Sequence, residues 1–300
     1  MTTVRGLVLL LCATLWLSAC RDTPQARAAD ARKVEAIRQQ ELARRLAAVD
    51  AGTNKNAPVA QWLMPPQLKE ISGLALTARG TVFAHDDNVG RVYEIDPKTG
   101  IVLKGFSLAG NQKEDFEAIA VVGSDIYLMS SNGKLFRFKE GADGQQVSFQ
   151  VFNTGLKKDC EFESLAYEAD SSRLLMACKR ILDKNAHQDL VIYSLPLPLN
   201  RATMRMMRFS LEDVVGANKW KNFRPSDMTI DPITHNYVVI ASHEKGLVVL
   251  TPDGSVVRSE PLPGDHQQPE GVAITRDSLL LVSDEANVRP AMITAYRWRP

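Results

Sequence analysis

The chain has little from which to build a conventional active site. Its 300 residues include only four cysteines and five histidines, and aromatic residues make up 7%. There is no Gly-x-Ser-x-Gly elbow, no His-Glu-x-x-His, no Cys-x-x-Cys and no phosphate loop, so the sequence supports none of the enzyme classes built on them. Neither charge sign is in surplus. With 36 basic and 35 acidic residues the net charge is +1, which gives no electrostatic footprint for a nucleic-acid partner. The apolar run Gly6 to Leu17 is shorter than the roughly 20 residues that a spanning helix needs.

That short run has its own meaning. It follows the basic Arg5 and leads into Ser18-Ala19-Cys20, the pattern of a signal peptide. Leu-Ser-Ala-Cys resembles the lipobox of bacterial lipoproteins, which implies cleavage before Cys20 and acylation of that residue. An ordinary secretory signal is the alternative. Arg21, where Asp would retain a lipoprotein at the inner membrane, resembles the sorting signal for the outer membrane. The expected address is the cell envelope, with the chain held by lipid and facing the periplasm.

The expected organisation is a signal over 1–19, a lipidated N-terminus and tether over 20–58, and one domain over 59–300. From Ala26 to Val49 there is no Gly or Pro, and Ala, Arg, Gln and Glu favour helix. Val34, Ile37, Leu42, Leu46 and Val49 make a thin apolar stripe, which suits a solvated spacer; a dimerisation or partner-binding stripe is the alternative. Ala51 to Pro58 breaks the helix.

The domain is organised by repetition. An acidic residue or Ser, a small residue and an apolar strand recur as Ile71-Ser-Gly-Leu-Ala-Leu76, Phe116-Glu-Ala-Ile-Ala-Val121, Phe162-Glu-Ser-Leu-Ala-Tyr167, Pro225-Ser-Asp-Met-Thr-Ile230 and Pro269-Glu-Gly-Val-Ala-Ile274. Spacings between Ser72, Glu117, Glu163, Ser226 and Glu270 are 45, 46, 63 and 44 residues. Such a period of short strands, bounded by turns such as Pro97-Lys-Thr-Gly100 and Pro252-Asp-Gly254, predicts propeller blades. The fold class is therefore all-β, a β-propeller of four-stranded antiparallel blades. Four periods end in an outer strand: Val102–Leu108, Val147–Phe152, Met204–Phe209 and Val256–Leu262. The fifth stops at Pro300 without one, while Val59–Met64 precedes the first motif as an unassigned strand. Joining the two closes a ring of five blades and leaves no open edge. A sixth blade within the long third period remains the alternative.

The ordered motifs Ser-Gly-Leu, Phe-Glu, Phe-Glu, Ser-x-Met and Pro-Glu-Gly, from about Glu70 onward, resemble the SdiA-regulated family of bacterial propellers. The resemblance implies the fold more than an activity. Similar Phe-Glu-Gly and Pro-Glu-Gly motifs occur in propellers resembling lactonases and phytases, where channel carboxylates hold Ca²⁺. This chain departs from that pattern at Ala118, Ser164 and Asp227, where Gly is usual, and at His243, where an acidic residue is common.

Strand direction places Glu117, Glu163 and Glu270, which open inner strands, at the same mouth as Asp86 and Asp284, which end second strands. Carboxylates brought together without Lys or Arg predict a Ca²⁺-like site with oxygen ligands. The alternative is that the Glu side chains accept backbone N–H groups and staple neighbouring blades. His85, His243, Trp220 and Arg224 are weaker ligand-binding candidates on the same face. Cys160 and Cys178 flank the first hairpin of the third period, and a cross-strand disulfide is expected; two buried thiols are the alternative.

Two functions fit. One is an envelope-anchored, non-enzymatic propeller, monomeric, meeting a ligand, metal or protein partner at its loop-rich mouth. The other is a Ca-dependent hydrolase of the propeller lactonase or phytase-like type.

Overall fold

The computed structural model describes residues 24–52, 54–183 and 189–300; the signal segment and Cys20 lie outside the described residues. A long helix, α1 (Pro24–Ala51), precedes strand β1 (Pro58–Leu63). The first blade is β2 (Ile71–Leu76), β3 (Val82–Asp86), β4 (Arg91–Ile95) and β5 (Val102–Leu108). The second is β6 (Phe116–Val122), β7 (Asp125–Ser130), β8 (Lys134–Lys139) and, after a short strand β9 (Gln146–Val147), β10 (Phe149–Asn153).

In the third blade, β11 (Cys160–Glu168) and β12 (Arg173–Ile181) form a long hairpin followed by β13 (Leu190–Pro196) and β14 (Arg205–Phe209). A short helix, α2 (Leu211–Val215), leads to the fourth: β15 (Asp227–Ile230), β16 (Tyr237–Ala241), β17 (Gly246–Leu250) and β18 (Val256–Pro261). The fifth holds β19 (Pro269–Ile274), β20 (Leu279–Asp284) and β21 (Met292–Arg297), completed by β1. Trp62 of β1 stands opposite Ile293 of β21, so the two ends of the chain close a five-bladed ring.

One outer strand differs from expectation. Val147 leaves the second blade to run parallel beside Leu108 of β5. Burial explains the switch: Val147 packs in the aromatic interface of the first two blades, where Phe83 and Phe106 meet edge-on at 5.9 Å. The second blade takes its outer strand from Phe149 onward.

The core lies between blades rather than in one centre, because each sheet presents apolar residues to both neighbours. The last three turns of α1 join it. Leu42 and Val49 are buried with Val59, Ala60 and Met64, while Asp50 meets Arg297 at 3.3 Å and Arg299 at 3.1 Å. The tether is thus a solvated spacer only in its first half, where Val34 and Ile37 are exposed. Among the described residues no helix is long and apolar enough to cross a membrane.

Candidate functional site

All five inner strands start at the same mouth of the channel, and the pairing next to the motif is irregular in four of them. The register shifts between Ile71 and Leu74, Phe116 and Ala118, Phe162 and Ser164, and Pro269 and Gly271. Glu117, Glu163 and Glu270 therefore sit on bulges, which release a side chain from strict alternation and aim it anew.

These three acids share the mouth with a cation that the sequence did not signal. Strand β12 runs past Cys178 to Ile181, and Lys179 reaches back to pair with the buried Glu163. Burial and the neighbouring Asp115 push the Glu117 carboxyl up to about 8, against the pull of Lys179. Burial also raises Glu270, with Lys179, Ser242 and Gln268 holding it down. The expectation of carboxylates without Lys or Arg is corrected: the group is mixed, with Lys179 paired to Glu163 among the acids.

Asp86 and Asp284 do not join this group. The Asp86 carboxylate accepts the N–H groups of Asn88 at 3.0 Å and Val89 at 3.1 Å, closing the turn after β3. Asp284 faces a buried histidine instead. Its Oδ2 lies 2.5 Å from Nδ1 of His266, whose Nε2 is 2.9 Å from the Tyr296 hydroxyl.

The residues beside them do converge. Carboxylate oxygens of Glu70, Asp87 and Glu285 lie within 4.8 Å of one another, all three half-buried. Burial pushes Asp87 up to about 6, helped by Glu70. Burial and a hydrogen bond to Glu70 push Glu285 up to about 8, while Glu70 is lowered by that bond and by Lys69. The signal was present in His85-Asp-Asp87 and Ser283-Asp-Glu285, each of which offers two neighbouring carboxylates on opposite faces of a strand end.

The stapling expected of Glu side chains falls to Ser and Asp. Ser226 donates to the carbonyl of Pro269 at 2.7 Å, and Ser283 to that of Ser72 at 3.3 Å. Asp227, where the related pattern has Gly, is fully buried in the channel neck. Its carboxylate accepts the N–H groups of Leu74 at 3.2 Å, Val272 at 2.8 Å and Met228 at 2.8 Å. Glycine persists at Gly271, where a Cβ would stand 2.3 Å from the Ser283 Oγ. Beyond the neck, Leu76, Val121, Tyr167 and Ile230, the same position of successive motifs, border a second cavity of about 330 Å³.

The remaining candidates separate. His85 is fully buried, and burial lowers its pKa to about 4; its Nε2 accepts the N–H of Gly73 at 3.1 Å. That role is structural. His243 is exposed beside Glu244 at 3.1 Å. Trp220 packs on Phe223, ring centroids 5.7 Å apart, and lies over Gly246, where a Cβ would meet it at 2.7 Å. Arg224 is exposed at a cleft between the third and fourth blades. Cys160 and Cys178 are joined by a disulfide, Cα to Cα 5.7 Å.

Five closed four-stranded blades around a channel, with motif carboxylates gathered at one mouth, define a five-bladed β-propeller. Residues 204–295, spanning the fourth and fifth blades, match the profile of the family described as SdiA-regulated. No curated protein matches this chain. Among solved structures it resembles the glutaminyl cyclase of Myxococcus xanthus, 11% identical with TM-score 0.55, covering 80% of this chain and 94% of that one. It also resembles the PQQ-bound aldose sugar dehydrogenase of Streptomyces coelicolor, 12% identical with TM-score 0.51, covering 80% and 99%. Identities this low speak to the fold alone.

Proposed function

We propose that this chain is an envelope lipoprotein, anchored through Cys20 at the outer membrane, whose propeller binds a ligand at the acidic channel mouth with the help of a Ca²⁺-like cation. The observation that carries the reading is the triad Glu70, Asp87 and Glu285, with ligand oxygens within 4.8 Å. Like charges at that distance are tolerated only with protons or a cation between them, and Asp87 and Glu285 are raised by burial first and by Glu70 second. Oxygen donors from carboxylates suit a hard divalent ion. Such an ion would neutralise the mouth and leave positions for oxygens of a ligand. Glu117, neutral near pH 7, could donate a hydrogen bond to the same ligand beside Lys179.

A Ca-dependent hydrolase is the second reading, favoured by one feature: Glu117, at about 8, is poised to exchange a proton near neutral pH. The lead reading is binding without catalysis.

The test is calorimetric titration of the full chain, in detergent, with CaCl₂ after chelator treatment. Stoichiometric binding that disappears in Glu70→Gln/Glu285→Gln supports the cation site, and no heat in the wild type sinks it. Fractionation of cells carrying Cys20→Ser checks the anchor. The variant should move from membrane to soluble fraction, and an unchanged membrane fraction would remove the lipid from the proposal.

A further inference from the structure

The repeat is broken at one place. The third period spans 63 residues where the others span 44 to 46. Its surplus chain enters on both sides of β13 and β14, between Ile181 and Leu190 and between Phe209 and Asp227. Described residues flanking the first insertion and at the end of the second line the same cleft, of about 320 Å³, between the third and fourth blades. Arg180, Ile181 and Asp189 form one side, and Asn222, Phe223 and Arg224 the other. Extra chain that departs from a uniform scaffold and encloses a cleft at its edge is where loops carry function.

The charges in the cleft are not balanced. Arg180 is paired with Glu161, and Lys179 with Glu163. Asp189 is engaged by Arg208 at 3.1 Å and by the N–H of Leu211 at 3.3 Å. The carboxylates of the wall are thus already answered by cations. The guanidinium of Arg224 and the amide of Asn222 meet no side-chain or backbone partner among the described residues. Among the described lining residues the cleft thus has a spare cation and spare donors, and each carboxylate, Glu161 and Asp189, is already paired.

Arg224 also stands on a fixed base. Its backbone N–H donates to Glu244 at 3.1 Å, Phe223 beneath it is buried, and Trp220 holds Phe223 from behind over Gly246. On the opposite wall the disulfide at Cys178 ties β12 to β11. A planar donor fork on a rigid base is suited to a carboxylate or phosphate, and little ordering is needed to bind one. The volume lies at the small end of ligand sites, about 300–1,000 Å³, which suits a molecule of monosaccharide or amino-acid size.

We infer that the cleft between the third and fourth blades is an anion-binding site, which takes a small polar molecule by its carboxylate or phosphate through Arg224 and Asn222. This site does not depend on a cation at the channel mouth, since neither Arg224 nor Asn222 belongs to the carboxylate triad.

The test is calorimetry of the full chain in detergent, with chelator present throughout, against glucuronate, a hexose phosphate and glucose. At least one of the two anions binds and glucose does not; preference for one anion identifies the ligand class. Arg224→Gln weakens binding roughly tenfold or more, the loss expected for a charge-assisted hydrogen bond, and Asn222→Ala weakens it less. Arg276→Gln, at the far end of the channel, leaves affinity unchanged. An unaltered Tm in Arg224→Gln separates lost binding from lost fold. Absence of binding by both anions, equal binding of glucose, or anion binding that persists in Arg224→Gln overturns the inference. With chelator present, each outcome is independent of the cation test.

Discussion

The Asp227 carboxylate accepts the backbone N–H of Leu74 across the channel neck at 3.2 Å, joining the fourth blade to a strand 153 residues earlier in the chain. With Val272 on the same oxygen, one side chain ties the inner strands of three blades. Asp227→Ala leaves those buried N–H groups without acceptors and should destabilise the fold by about 3–5 kcal/mol. Asp227→Asn keeps one acceptor oxygen and should lose less. Urea denaturation checks both, and an Ala variant within about 1 kcal/mol of wild type would show the neck to be held otherwise.

Stability should depend on pH through the mouth. Glu117 and Glu285 titrate near about 8 in the folded chain, well above the ~4.3 of an unfolded glutamate. Their contribution is complete below the unfolded value and is lost as pH rises through about 8. Chelated protein should therefore melt at lower temperature at pH 8 than at pH 5, and CaCl₂ should raise Tm more at pH 8. Glu285→Gln should remove the calcium effect and only part of the pH effect, Glu117 supplying the rest. A calcium effect of equal size at both pH values would contradict the cation reading.

The disulfide closes a loop with a sequence separation of 18. For a loop of that size the unfolded chain is constrained by about 3 kcal/mol, so Cys160→Ala/Cys178→Ala should unfold at lower urea than wild type. Dithiothreitol should shift the wild type and leave the double variant unchanged. Thiol titration of unfolded, unreduced protein that finds both cysteines free would remove the bond.

Helix α1 should release locally. Leu42 is 6% exposed against the closing blade, and Leu42→Ala should weaken docking by roughly 2–3 kcal/mol. Because α1 packs on β1 without sharing the ladder that joins β1 to β21, the expected readout is faster tryptic cleavage at Arg38, Arg44 and Arg45 with little change in Tm. A large fall in Tm without faster cleavage would mean that helix and ring unfold together.

The blades were legible because each motif repeats the same apolar alternation, and the unassigned strand at Val59 had only one partner lacking an outer edge. Val147 was misplaced, since period alone does not tell which of two adjacent blades buries a valine. At the mouth, the motif acids Glu117 and Glu270 lie near Lys179, which pairs with Glu163, while Asp86 and Asp284 turn to other partners and the adjacent Asp87 and Glu285 converge on Glu70. A strand end carries side chains alternately to either face, and sequence does not reveal which of two consecutive acids faces the channel. Lys179 was missed because the strand holding it extends beyond its apolar core.

The closing strand has a mechanical consequence. A chain held by its N-terminus transmits any pull through α1 into β1, the strand whose pairing with β21 seals the ring. Two clasps stand ahead of that seal: the packing of Leu42 and Val49, and the pairing of Asp50 with Arg297 and Arg299 on the opposing C-terminal segment. Any tension entering at the N-terminal end of α1 would thereby be shared between both ends of the chain before it reaches the seam.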